Sequence, residues 1–215
     1  MLNPSLTKPI QEETLKLKKY AAIDIGSNAM RLLITYIVEQ EGKESQFNKN
    51  SLVRVPIRLG QDSFTVGEIS EENIDRMIDA MKAFRLLMKV HKVEKYKALA
   101  TSAMREAYNG KEVVEIIKEK SGIDIEIIDG KKEAIIIAST DLNHMLKSDK
   151  TYLYVDVGGG STEFSLFDNG KIVVSKSFKA GTVRFLNKMV CDVVWEEMEK
   201  WIKTNTKEYD EVILI

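Results

Sequence analysis

The chain opens with a polar stretch and turns to buried runs at Tyr20. Residues 1–19 carry two of the three prolines, Pro4 and Pro9, and little apolar periodicity. This predicts a flexible arm with at most a short helix near Gln11–Lys18. Tyr20–Ile25 (YAAIDI) then reads as a buried strand, followed by a turn at Gly26-Ser27-Asn28. Leu32–Val38 is a second strand, and the polar stretch Glu39–Asn50 a connection. Ser51–Leu59 alternates as a third strand, in which Pro56 points to an edge or a bulge. After Ser70, a residue suited to N-capping, come Glu71 and Glu72 in a first helical turn. From there Ile74, Met77, Ile78, Met81, Phe84 and Met88 recur on one helical face, a stripe that reads as core packing. His91 closes this helix at the surface.

Beyond it, strands and helices alternate. Tyr96–Thr101 is a short buried strand, and Lys111–Lys120 a helix ended by Gly122. Ile123–Ile128 is a strand and Lys131 to Leu146 a helix. Tyr152–Val157 is a strand running into Gly158-Gly159-Gly160. Glu163–Phe167 and Ile172–Lys179 form a hairpin around Asn169-Gly170. Helical segments at Thr182–Met189 and Val193–Thr204 lead to a last strand, Glu211–Ile215. With no crossover, cap or partner element after it, that strand predicts a fragment.

An internal repeat organises these elements. Ala22–Asn28 lies over Tyr154–Gly160, with Asp24 on Asp156 and Gly26 on Gly158. Each copy continues through a second strand, a Gly-Lys turn (Gly42-Lys43 and Gly170-Lys171) and a third strand. The expectation is an α/β protein of two domains, residues 20–137 and 138–215, whose turns face each other across a cleft. That arrangement resembles the superfamily of actin, the heat-shock chaperone ATPases and the sugar kinases, with ribonuclease-H-like domains whose paired turns grip the phosphates of a ligand. The second domain would be incomplete at its C-terminus.

Composition narrows the chemistry. With 215 residues, 44% of them hydrophobic, the chain has ample material for a core. Its formal charge of −1 offers no excess that would point to nucleic acid or an anionic membrane surface. One cysteine, Cys191, excludes an internal disulfide, and two histidines leave little for a His-based metal site. No apolar run approaches the roughly 20 residues of a membrane span. Met1–Tyr20 lacks an export signal, so a cytoplasmic, reducing location is expected.

Candidate chemistry sits at the ends of strands. Three glycines, Gly158, Gly159 and Gly160, let backbone N–H groups approach an anion, with Ser161 and Thr162 as hydroxyl donors. A plain tight hairpin would need only one glycine. Asp156, just before this nest, makes sense beside phosphate if it holds a divalent cation. Gly26, Ser27 and Asn28 form a second, weaker phosphate turn, and Arg31 lies on the strand that follows. Arg105, after Thr101-Ser102, has the geometry to fork onto phosphate or to pair with Glu106. Glu133 opens a helix after Asp129-Gly130 and on spacing alone reads as a solvated acid.

Together these stretches resemble the exopolyphosphatase and guanosine pentaphosphate phosphatase (Ppx/GppA) family. The resemblance rests on Ala22–Asn28 (AIDIGSN), Ala100–Arg105 (ATSAMR), Ile128–Ala134 (IDGKKEA), Val155–Glu163 (VDVGGGSTE) and Gly181–Arg184 (GTVR). It implies hydrolysis of the terminal phosphoanhydride of polyphosphate or guanosine pentaphosphate, with Mg2+. It makes Glu133 the general base and ties Asp156 and Glu163 to the metal and the reacting water. Arg105, Ser27 and Asn28 become phosphate contacts, and Gly158–Gly160 the phosphate loop. Many relatives self-associate, so a homodimer is compatible with it. Lys132 stands where the family commonly has a second acid, Ile135 where it has an arginine, and Ala29 where a serine is common. Lys132 would either lower the pKa of Glu133 or bind substrate. Two other functions are compatible with the residues: a non-catalytic sensor of the same ligands, and an ATP-dependent phosphotransferase of the same superfamily.

Overall fold

The computed structural model describes residues 16–39, 45–139 and 149–215. Its first sheet is built from β1 (Lys16–Ile25), β2 (Met30–Glu39), β3 (Gln46–Val55), β4 (Lys95–Ala100) and β5 (Glu126–Ile127), in the order β3-β2-β1-β4-β5. β1 runs antiparallel to β2 and parallel to β4. The second sheet comprises β6 (Tyr152–Val157), β7 (Thr162–Asp168), β8 (Lys171–Phe178) and β9 (Ile213–Leu214), in the order β8-β7-β6-β9. β6 is antiparallel to β7 and parallel to β9. The order β8-β7-β6-β9 repeats β3-β2-β1-β4 with the same strand directions, so the repeat read from two Asp-x-Gly turns extends to whole sheets.

Two short helices and two long ones accompany the first sheet: α1 (Leu59–Thr65), α2 (Glu71–Val90), α3 (Ser102–Glu106) and α4 (Gly110–Ser121). The expected stripe on α2 is buried, with Met77, Met81 and Phe84 fully enclosed. Ser70 caps it, its Oγ accepting from the Asn73 N–H. This core also takes Ile23, Ile25, Met30 and Leu32 from the sheet and Val113 and Ile117 from α4. Burying side chains of this size stabilises by about 1.5–3 kcal/mol each. The second sheet packs Leu153, Phe164 and Phe178 against Met198 and Trp201 of α7 (Asp192–Thr206). α5 (Gly130–Ser139) follows β5 in the chain yet packs on β7 and β8. The expected domain boundary at residue 137 thus falls inside α5. No helix among the described residues is long and apolar enough to cross a membrane.

Several expected boundaries shift. β1 begins at Lys16, so residues 16–18, expected in a helix and an arm ending at 19, are strand. They pair with Ile37–Glu39 of β2, and that cross-strand ladder supplies the partners the local sequence does not announce. The polar connection is shorter than expected, because residues 46–50 join β3. Leu59 opens α1 instead of ending a strand, and α3 forms where no element was expected. The strand expected over Ile123–Ile128 is ordered as β ladder only at Glu126–Ile127. The final strand, expected to lack a partner, pairs with Tyr152 and Leu153 of β6. Residues 1–15, 40–44 and 140–148, which hold parts of the expected arm, connection and helix, lie outside the described residues.

Candidate active site

The two Asp-x-Gly turns meet at a cleft of about 500 Å³. Asp24, Gly26, Ser27 and Asn28 line it from the β1–β2 turn, and Asp156, Gly158, Gly159, Ser161 and Glu163 from the β6–β7 turn. Thr101, Ser102, Glu133 and Thr182 complete the polar wall. The arrangement follows from strand polarity. Both acids stand one residue before the end of a strand central to its sheet, where ligands collect in α/β folds.

The turns touch each other. A Cβ on Gly159 would lie 2.9 Å from Ser27 Cβ, and one on Gly160 would run into the Phe64 ring and Ser102 Oγ. Glycine is required here by close approach. Ser27 Oγ is 3.0 Å from Ser102 Oγ, which ties the first turn to the start of α3. The second turn leans on α6 (Thr182–Leu186): the Thr182 N–H donates to Gly158 O at 3.0 Å and the Val183 N–H to Gly159 O at 2.9 Å.

Glu133 projects from the first turn of α5 and is largely buried. Burial pushes its carboxyl up to about 7; Glu163 adds to the rise and the Arg105 guanidinium opposes it. Arg105 Nη1 donates to Glu133 Oε2 at 3.1 Å and to Ile128 O at 2.7 Å. Glu163 is 2% exposed and accepts from Ser177 Oγ at 2.7 Å. Burial raises its pKa against the pull of hydrogen bonds from Ser161 and Ser177. Asp156 is raised by burial and lowered by Arg31. Asp24 is raised by burial, with Arg31 again opposing and Asp156 adding to the rise. Arg31 Nη1 lies 3.3 Å from Asp24 Oδ2.

Most sequence candidates therefore converge on one cleft: Gly26, Ser27, Asn28, Glu133, Asp156, Gly158, Gly159, Ser161 and Glu163 line it. Gly160 is packed beneath the turn, and Arg105 reaches the cleft through Glu133. Arg105 does not pair with Glu106, which takes Arg184 and Lys179 instead. Lys132 sits apart from the cleft lining. Its ammonium pairs with Glu126 on β5, which also pairs with Lys97.

Residues not anticipated also shape the site. Ser177 faces Glu163 across the β7–β8 ladder. Ser102, whose hydroxyl the sequence already placed at a strand end, bonds Ser27 and lies against Gly160. Arg184 is buried with its guanidinium 4.0 Å over the Phe64 ring. Only the stretch Gly181–Arg184 carried a signal for it.

Comparison with known proteins points the same way. The model of the Ppx/GppA phosphatase family matches residues 38–211. A bifunctional 3-dehydroquinate synthase/phosphatase of Fusobacterium nucleatum is 32% identical over 203 residues, 89% of this chain and 30% of that protein. Exopolyphosphatase 2 of Mycobacterium tuberculosis is 29% identical over 175 residues, 79% of this chain and 54% of that protein. Among solved structures, an exopolyphosphatase from Cytophaga hutchinsonii superposes with a TM-score of 0.76 at 28% identity, covering 92% of this chain and 66% of its own. The Aquifex aeolicus Ppx/GppA family member gives 0.71 at 25% identity, with 93% and 66% covered. The chain spans about half or less of the length of these curated relatives.

Proposed function

The chain belongs to the Ppx/GppA phosphatase family, and on that premise we propose that it hydrolyses the terminal phosphoanhydride of inorganic polyphosphate or of guanosine pentaphosphate. One observation carries the reading: a buried carboxylate, Glu133, held up to about 7, shares a cleft with a glycine turn built for anions. A base with that pKa is half-ionised near neutrality, where general-base catalysis is most effective.

The residues divide the work. A terminal phosphoryl group on the β6–β7 turn would receive the backbone N–H groups of Gly159, Gly160 and Ser161. Ser27 and Asn28 would approach its oxygens from the other turn. Glu133 Oε1 or Oε2 accepts a proton from a water as that water's oxygen attacks phosphorus. The P–O bond to the rest of the chain breaks, and the shortened polyphosphate leaves as an anion. Arg105 keeps the Glu133 carboxylate oriented and favours its return to the ionised form once it has taken up the proton.

Four carboxylates at the cleft support a divalent cation there. Asp24, Glu133, Asp156 and Glu163 put four carboxylates around a site for a polyanion, with Arg31 and Lys97 as the cations on its wall. Among the described residues, no group of three or more His, Cys, Asp or Glu could hold a metal ion by itself. Magnesium suits this set, because it is commonly held by one or two carboxylates together with substrate phosphates and water. Asp156 and Glu163 would hold it, and it would neutralise phosphate charge as the anhydride breaks.

Phosphate release from both substrates, with Mg2+ and with a chelator, tests the reading. Release that depends on the cation supports it. Tight binding of either substrate without release would make the chain a sensor instead. Phosphate loss from ATP that requires an acceptor would make it a phosphotransferase.

A further inference from the structure

Arg184 is the most deeply placed cation of the described chain that the mechanism above does not use. Its relative exposure is 8%, and it makes three kinds of contact at once. Nε donates to Gly160 O at 2.7 Å, Nη2 donates to Glu106 Oε2 at 2.6 Å, and the guanidinium plane lies 4.0 Å over the Phe64 ring. Gly160 belongs to the turn of the second sheet, whereas Glu106 ends α3 and Phe64 lies on α1, both beside the first sheet. One side chain therefore joins the phosphate turn to two helices of the other half.

Its effect on that turn follows from peptide planarity. In a trans peptide the carbonyl of one residue and the N–H of the next point in opposite directions. No peptide bond among the described residues is cis. The carbonyls of Gly158, Gly159 and Gly160 are taken in succession by Thr182 N–H, Val183 N–H and Arg184 Nε. The N–H groups of Gly159, Gly160 and Ser161 are thereby turned away from α6, and none donates to a protein acceptor among the described residues. Gly159 and Ser161 line the cleft. The first two carbonyls are held by backbone. The third, which sets the Ser161 amide, is held by the arginine alone.

We propose that Arg184, locked by Glu106 and Phe64, is a positioning residue that fixes the Gly160 carbonyl and so aims the Ser161 amide at the anion in the cleft. The proposal rests on the phosphate-hydrolase reading for its effect on turnover, but the latch itself is independent of it. Lysine cannot replace this arginine. A point charge on a flexible stem cannot donate to Gly160 and Glu106 while stacking on the ring. Glu106 acts only through Arg184. Its second cation, Lys179 at 3.3 Å, is exposed and stays solvated without it.

The test compares Arg184→Lys, Glu106→Gln and the double variant with the wild-type chain. A donor displaced by about an ångström costs on the order of 10²-fold in turnover. The expected result is a kcat for polyphosphate hydrolysis lower by roughly 10- to 100-fold in Arg184→Lys, with KM changed much less. The pH midpoint set by Glu133 should stay in place, and the double variant should be no worse than Arg184→Lys. A purely structural role would instead lower thermal stability and leave kcat intact in the folded enzyme. Full kcat in Arg184→Lys, or losses that multiply in the double variant, would overturn the proposal. Hydrogen exchange across residues 157–163 gives a reading without activity. Faster exchange there in Arg184→Lys, with the α2 amides unchanged, supports the latch, and unchanged exchange refutes it. Wild-type chain that releases no phosphate from either substrate would remove the hydrolase reading. The exchange measurement would then decide the latch alone.

Discussion

Glu133 owes its character to where α5 begins. Asp129 ends the loop after β5 and Gly130 opens α5, so the carboxylate enters the cleft from a first helical turn and gives up most of its water. Glu133→Gln keeps the shape but cannot take a proton. We expect kcat to fall by about 10²–10⁴-fold. Substrate affinity should hold or rise, since a negative charge facing a polyanion is gone. In the wild type the rate should climb as pH rises through about 7, because the base must be ionised. The variant should lose that limb. Glu119→Gln on the exposed face of α4 should leave turnover unchanged. Steady-state kinetics at saturating substrate across pH 5–9 checks each point, and equal turnover in Glu133→Gln and wild type would assign the water to another group.

At the scale of elements, what local pattern can encode was legible. Ser70, its two glutamates and the methionine stripe predict α2 because capping and 3.6-residue periodicity are local properties. The Asp-x-Gly turns were legible because glycine and an acid at a strand end are a local signature too. Ladder length was not. β5 is short because it pairs only with Leu99 and Ala100, although Ile123, Ile125 and Ile128 are all buried. α1 was hidden because Leu59 is buried whether strand or helix holds it, and the break comes from Arg58 at φ 63. Arg184 could not be assigned, because its partner Glu106 is 78 residues away. The two kinds of glycine can be told apart by experiment. Gly160→Ala drives a methyl into Phe64 and Ser102, an overpacking typically worth 1–3 kcal/mol, estimated at about 2. Gly170→Ala meets nothing within 4 Å but must adopt φ 71, at a cost of about 1–2 kcal/mol. Denaturant melts should show similar destabilisation in the two variants. Phosphate release should be lost only in Gly160→Ala.

Across the whole molecule, the paired sheets concentrate acid at their junction. Asp24, Glu133, Asp156 and Glu163 all have folded-state pKa values raised chiefly by burial. The folded state therefore binds protons more tightly than the unfolded chain. This contribution to stability is complete below the ordinary carboxylate range and is lost as pH rises, for Glu133 between 4.5 and about 7. The expected outcome is a thermal midpoint that falls over this window. A divalent cation binds the ionised carboxylates, so Mg2+ should raise the midpoint more at pH 8 than at pH 5. Calorimetry with Mg2+ and with chelator checks the sign. A midpoint insensitive to Mg2+ at pH 8 would remove the cation from Asp156 and Glu163.

The seat of α5 has a further consequence, for the order in which the chain assembles. The helix leaves the first sheet yet rests on β7 and β8, with Gly130 against Ser177 of β8. During synthesis the first sheet and α2 can close while α5 still lacks the strands beneath it. Glu133, on the first turn of that helix, then has no cleft to enter. The cleft is thus completed late, once β8 has emerged. A nascent chain would be folded in its first half well before the cleft around Glu133 is closed.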